Sequence, residues 1–145
     1  MEDLITGAHW HLLINHAPIF GSVFALALLV VSYITSASVL RRTAFVLLIF
    51  TGIAGFLAQQ TGEPAEDAIR GFPGVKREVI HEHEEMADKA YLLAGALGVV
   101  ALGGLIRWRK ASVPHGATAV ILVATAVVAG VMVYTGFLGG RIRHT

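Results

Sequence analysis

Three groups of side chains in this chain have the types and spacing to do chemistry. They are His9, His11 and His16; Glu63, Glu66 and Asp67; and His81-Glu82-His83-Glu84-Glu85 with Asp88. Imidazole nitrogens and carboxylate oxygens together suit zinc or iron better than Cu(I). Two imidazoles on different helices of a bundle are also the arrangement that grips a b-type haem from both sides of its plane. Cysteine is absent, which excludes disulfides, thiolate metal sites, iron–sulfur clusters and covalent c-type haem attachment. The sequence contains no nucleophile–base arrangement, phosphate loop or nucleic-acid surface, and so it assigns no reaction.

The elements that must position these groups are membrane helices. In 145 residues the chain is 55% hydrophobic and 14% charged, more apolar than its own water-facing core could hide. It reads as one integral membrane domain over 1–145. Residues 17–40, 43–62 and 90–106 are uncharged, and 111–140 carry only His115. A crossing helix needs roughly 20 mainly apolar residues. The expected spans are therefore about 16–40, 43–62, 85–107 and 114–137, an all-α four-transmembrane-helix bundle.

Local signals set the boundaries. Asn15 is placed to N-cap the first span, with Pro18 in its first turn where a missing N–H costs nothing. Residues 4–14, with Trp10 between His9 and His11, then form an interfacial lead-in. Thr61-Gly62 is expected to stop the second helix, and Glu63-Pro64 to open a short one that Gly71-Phe72-Pro73-Gly74 ends. From about Val75 a helical pattern runs into the third span. The second and third spans are thus joined by an acidic helical connection.

Charge separates by end. Arg41 and Arg42 follow the first run, and Arg107, Arg109 and Lys110 follow the third, with no acid among them. Short basic loops stay cytoplasmic, so both termini and the 61–89 connection are expected to face outward. The longer outward segments also hold Arg70, Lys76, Arg77, Lys89, Arg141 and Arg143, but their acids and length weaken that bias. Met1-Glu2-Asp3 is acidic where a signal peptide begins with positive charge. The expected location is the bacterial plasma (inner) membrane, multi-pass.

Helical geometry sorts the histidines. Residues at i, i+4, i+7 and i+11 share a face, and from His83 that face runs through Ala87, Ala90, Ala94, Gly98 and Ala101. Small residues mark close helix approach inside a membrane bundle, so His83 is expected to point inward. His81 counts through Glu84, Glu85 and Asp88 and reads as a wetted rim residue. His16, above Phe20, Val23 and Ala27, is expected to face inward at the depth of His83. Gly21, Gly52, Gly55, Gly95 and Gly98 could give a haem plane room, although such glycines are most simply read as helix packing. Glu63, Glu66 and Asp67 suit a helix N-terminus through its dipole. His115 has no evident partner, and His144 lies in the tail.

The stretch His11-Leu12-Leu13-Ile14-Asn15-His16-Ala17-Pro18-Ile19 resembles the H-P-x-x-V-H-F-P-I opening of small bacterial membrane proteins catalogued as domain of unknown function 2231. That family also has a Thr-Gly like Thr61-Gly62, a histidine opening the third helix like His83, and an arginine closing it like Arg107. Leu12 and Ala17 stand where the family has proline and phenylalanine. The resemblance spans most of the chain and implies a general plan like that of four-helix membrane b-type cytochromes, whose relatives sometimes occur fused to Rieske or cytochrome c domains.

Three expectations follow. The first is a membrane electron-transfer protein with haem b between His16 and His83, and His11 as alternate ligand, hydrogen-bond partner or ligand of a second haem. It would pass electrons between a periplasmic carrier and a quinone or larger membrane complex. The second is a non-haem zinc, copper or iron site drawn from His11, His16, His81, His83, Glu66 and Glu84. The third is a cofactor-free accessory subunit of a respiratory or photosynthetic complex. The glycine-bearing faces of helices two and three would permit a homo-oligomer in the lipid bilayer, and nucleic acid is not expected as a partner.

Overall fold

The computed structural model describes residues 7–142, so Met1-Glu2-Asp3, Arg143 and His144 lie outside the described residues, as does the start of the lead-in at 4–6. Five helices follow in order: α1 (Gly7–Ile14), α2 (His16–Thr35), α3 (Ser38–Ile69), α4 (Arg77–Arg107) and α5 (His115–Arg141). Among the described residues there is no strand, and four helical stretches are long and apolar enough to cross a membrane. The protein is an all-α, multi-pass membrane protein.

Helices α2 to α5 form a closed ring in which α2 packs on α3, α3 on α4, α4 on α5 and α5 back on α2. Helix α1 lies against α3. Side-chain size is sorted as a lipid solvent requires: with no water to expel between helices, association depends on close van der Waals packing. Ala25, Ala44, Ala90, Ala94 and Ala101 fill the buried seams around Leu29, Phe45, Leu48 and Leu97. Phe24, Ile53, Phe56, Val99 and Val120 point outward. The expected small-residue face of α4 is buried at Ala90, Ala94, Gly98 and Ala101. There α3 and α4 nearly touch: a Cβ on Gly52 would stand 3.0 Å from the carbonyl oxygen of Ala94, and one on Gly98 would stand 3.2 Å from that of Leu48.

Buried hydroxyls need partners where water is absent. Ser22, Thr51, Thr118 and Thr125 each donate to a carbonyl three or four residues back along the chain.

Some features of the helix ends differ from expectation. The second membrane helix does not stop at Thr61-Gly62, because α3 runs on to Ile69 with Pro64 inside it. Proline removes one helical N–H and frees the carbonyl of Gln60. Gln60 is exposed at the charged end of the bundle, where that loss is cheap. The connection is then only a tight turn in which Gly71 and Gly74 take positive φ values of 88° and 86°, a conformation glycine adopts without a Cβ penalty. Asn15 separates α1 from α2 as expected but makes no side-chain cap hydrogen bond, and its backbone is helical. From Gly7 the lead-in is itself helical, as α1, and packs on the bundle.

The basic end is stitched by arginines that the sequence reading left as loop charges. Arg41 is 3% exposed. Its guanidinium donates to Ser32 Oγ, to the carbonyl of Ser32 and to the carbonyl of Val113 in the α4–α5 turn. Arg42 donates to the carbonyls of Trp108 and Ala111 in the same turn. His115, expected to stand alone, meets Ser36 Oγ at 3.3 Å and the edge of Tyr33.

Candidate functional site

At the acidic end, α1, α3, α4 and α5 bring two imidazoles together. The rings of His11 (α1) and His83 (α4) lie with centroids 6.4 Å apart and planes at 85°. His11 Nδ1 is 3.2 Å from the carbonyl oxygen of Ala58 and 3.1 Å from Thr61 Oγ1, both on α3. His83 Nδ1 is 3.0 Å from the carbonyl oxygen of Thr135 on α5. A carbonyl only accepts, so in each ring Nδ1 carries the hydrogen and donates. Thr61 in turn donates its own hydroxyl hydrogen to the Ala58 carbonyl. This pattern fixes the tautomer and leaves Nε2 of both neutral rings with its lone pair, as in histidines that ligate metals.

Local sequence explains the pocket. Both rings sit where a neighbouring helix lacks a side chain: a Cβ on Gly62 would come within 3.9 Å of His11 Cε1, and one on Gly139 within 3.1 Å of His83 Cε1. The rings are half-buried, and His83 points inward as its helical face predicts.

His16 is placed differently from expectation. It is exposed, with Nδ1 3.3 Å from the carbonyl oxygen of Leu12 and its ring stacked on exposed Phe20. The reason is angular: five residues separate it from His11, and five helical steps rotate a side chain by roughly 140°. If His11 faces the bundle, His16 faces away from it.

The remaining candidates gather on a cleft of about 330 Å³ between the ends of α3 and α4, lined by Glu66, Arg70, Arg77, Ile80, His81 and Glu84. Arg70 pairs with Glu66 at 3.1 Å and Asp67 at 3.2 Å. His81 is exposed and stands 3.4 Å from Glu85, as a rim residue should. These carboxylates lie beyond the uncharged stretch of α3 that ends at Gly62. The hydrogen bond between Glu84 and Glu66 raises the Glu84 carboxyl above the ordinary glutamate value, and burial adds to that. The same bond lowers Glu66, helped by Arg70. Gln59 donates to Asp88 at 2.6 Å and Arg141 to Glu82 at 3.4 Å, tying α3 and α5 to α4. His9 is exposed.

Among the described residues no three histidine, aspartate or glutamate side chains come together in a way that could hold a metal ion. The pair His11 and His83 is the arrangement that the fold does build. The sequence reading missed its α1 member as the primary partner, although the five-residue spacing of His11 and His16 carried the signal.

Compared with protein-family models, with curated proteins and with solved structures, the chain matches none of them.

Proposed function

We propose that this is an electron-transfer protein of the bacterial plasma membrane that holds haem b through Nε2 of His11 and His83, near the extracytoplasmic end of the bundle. The observation that carries this reading is that two imidazoles from different helices each have Nδ1 tied to a backbone carbonyl, leaving Nε2 for a ligand. Two nitrogens alone make a poor site for a bare metal ion, which wants four or more donors. A haem brings four equatorial nitrogens and a one-electron couple, so it needs only the two ligands this fold offers. Held by His11 and His83 together, a haem would supply one-electron chemistry without an open position for oxygen or substrate, which favours electron transfer over catalysis. The short, acid-free connections at 36–37 and 108–114, with Arg41, Arg42, Arg107, Arg109 and Lys110 in or beside them, favour a cytoplasmic basic end, and hence an outward-facing histidine pair within reach of a periplasmic carrier or a quinone.

Protein extracted from membranes in mild detergent and reduced with dithionite is expected to show sharp α and Soret bands. His11→Ala and His83→Ala are each expected to abolish or shift them, and His16→Ala to leave them unchanged. Absence of the bands from protein produced with ample haem would overturn the reading, as would bands that depend on His16 and not on His11. Stoichiometric zinc, copper or iron without those bands would indicate a bare-ion site instead, and co-purification with large subunits without any metal an accessory role.

A further inference from the structure

At the other end of the molecule, residues of α4 and α5 line an open groove of about 320 Å³. Its walls are almost wholly apolar and include Val100, Gly103, Ala117 and Val120, with Arg107 and Trp108 at its head. Val100 and Val120 are exposed, so the groove opens toward the surrounding acyl chains rather than into the bundle. Gly103 widens it, because a Cβ there would meet nothing within 4 Å. Arg107 lines the head of the groove, Arg109 and Lys110 follow it in the next turn of chain, all three are exposed, and no acid lies between residues 89 and 145.

We infer that this groove is a binding site for an anionic glycerophospholipid, with one acyl chain lying along Gly103 between α4 and α5 and the phosphate held by Arg107 and its basic neighbours. The argument is complementarity on both halves of the ligand. An apolar slot open to the bilayer suits a hydrocarbon chain, Trp108 has the amphipathic ring that settles at headgroup level, and three cations with no counter-charge suit a phosphate. The alternative occupant, a helix of a second copy, would bring its own apolar face but no negative charge to the basic head of the groove. This inference is independent of what the histidine pair binds.

The test is native mass spectrometry of the full chain from mild detergent, followed by thermal unfolding in nanodiscs of phosphatidylglycerol or phosphatidylcholine. One anionic phospholipid is expected to survive delipidation, with unfolding at higher temperature in phosphatidylglycerol. Each charge removed by Arg107→Gln, Arg109→Gln or Lys110→Gln is expected to weaken retention by about fivefold. A Cβ at Gly103 would meet nothing within 4 Å, so Gly103→Leu enters the slot without a clash at the backbone and is expected to remove the bound lipid while leaving helix content and monodispersity unchanged. Gly130→Leu, on an equally open position of α5, serves as the control and should leave the lipid in place. Equal retention of both headgroups, or insensitivity to Gly103→Leu, overturns the proposal. So does a dimer that Gly103→Leu dissociates, since a second copy would then fill the groove.

Discussion

Gly139 lies against the edge of the His83 imidazole so closely that a Cβ placed there would stand 3.1 Å from Cε1 and 3.4 Å from Nδ1. The ring cannot easily retreat, because its Nδ1 is fixed on the Thr135 carbonyl one turn earlier on the same helix. Gly139→Ala is therefore expected to displace the ring by a few tenths of an ångström and to cost about 1–3 kcal/mol, the usual range for overpacking. Thermal unfolding in detergent measures the cost. If the histidine pair holds haem as proposed, reduced Gly139→Ala protein should show a shifted α band rather than a lost one.

The seam between α3 and α4 sorts glycines by what they face. Gly52 and Gly98 oppose backbone atoms of the other helix, which cannot yield. Gly52→Ala and Gly98→Ala should each lower stability by about 1–3 kcal/mol. The Cα of Gly95 borders that seam, but an added Cβ there would have nothing within 4 Å, so Gly95→Ala should be neutral or gain up to about 1 kcal/mol from helix propensity. A stability series across the three variants checks this, and equal effects at all three positions would contradict the packing.

Arg41 is buried without a carboxylate and satisfies the Val113 carbonyl from 72 residues away. Arg41→Met keeps most of the volume but leaves that carbonyl and the hydroxyl of Ser32 short of donors. The expected loss is about 1–3 kcal/mol, the cost of a stranded buried acceptor. Arg42→Met should cost less, since Arg42 is only half-buried and water can reach the carbonyl of exposed Ala111. Comparing the two unfolding temperatures decides the order.

Glu66 and Glu84 give the acidic end a pH dependence with a defined sign. Glu84 is raised on folding, so its contribution is fully present below the ordinary glutamate value and is lost as pH rises through its raised one. Glu66 is lowered, so its contribution is present above the ordinary value and is lost as pH falls through its lowered one. Stability should therefore be best in the mildly acidic window between the two titrations. Glu84→Gln keeps the hydrogen-bond donor and removes the titration, so it should flatten the alkaline side of that window in a plot of unfolding temperature against pH.

Much of this was legible in the residues. Uncharged runs gave the four spans, Gly71 and Gly74 gave the turn, and the Ala90-Ala94-Gly98-Ala101 face gave the buried side of α4 and with it the inward His83. What escaped was set by the rest of the bundle. Pro64 reads as a helix breaker, but a single lost hydrogen bond beside exposed Gln60 does not outweigh the packing of α3 along α4. Depth along the chain suggested His16 beside His83, while rotation about the helix axis puts His11 there instead. Arg41 looked like a loop charge because nothing in a linear sequence shows that the α4–α5 turn folds its carbonyls over it.

The unbroken course of α3 past Pro64 has a mechanical consequence. From Gly62 to Ile69 the helix rises about 10 Å at the standard pitch, and α4 rises beside it, so the turn at Gly71 and Gly74 is carried at the tip of a stiff two-stranded mast. A soluble partner approaching from that end would meet this tip before it reached the level of His83, further along α4.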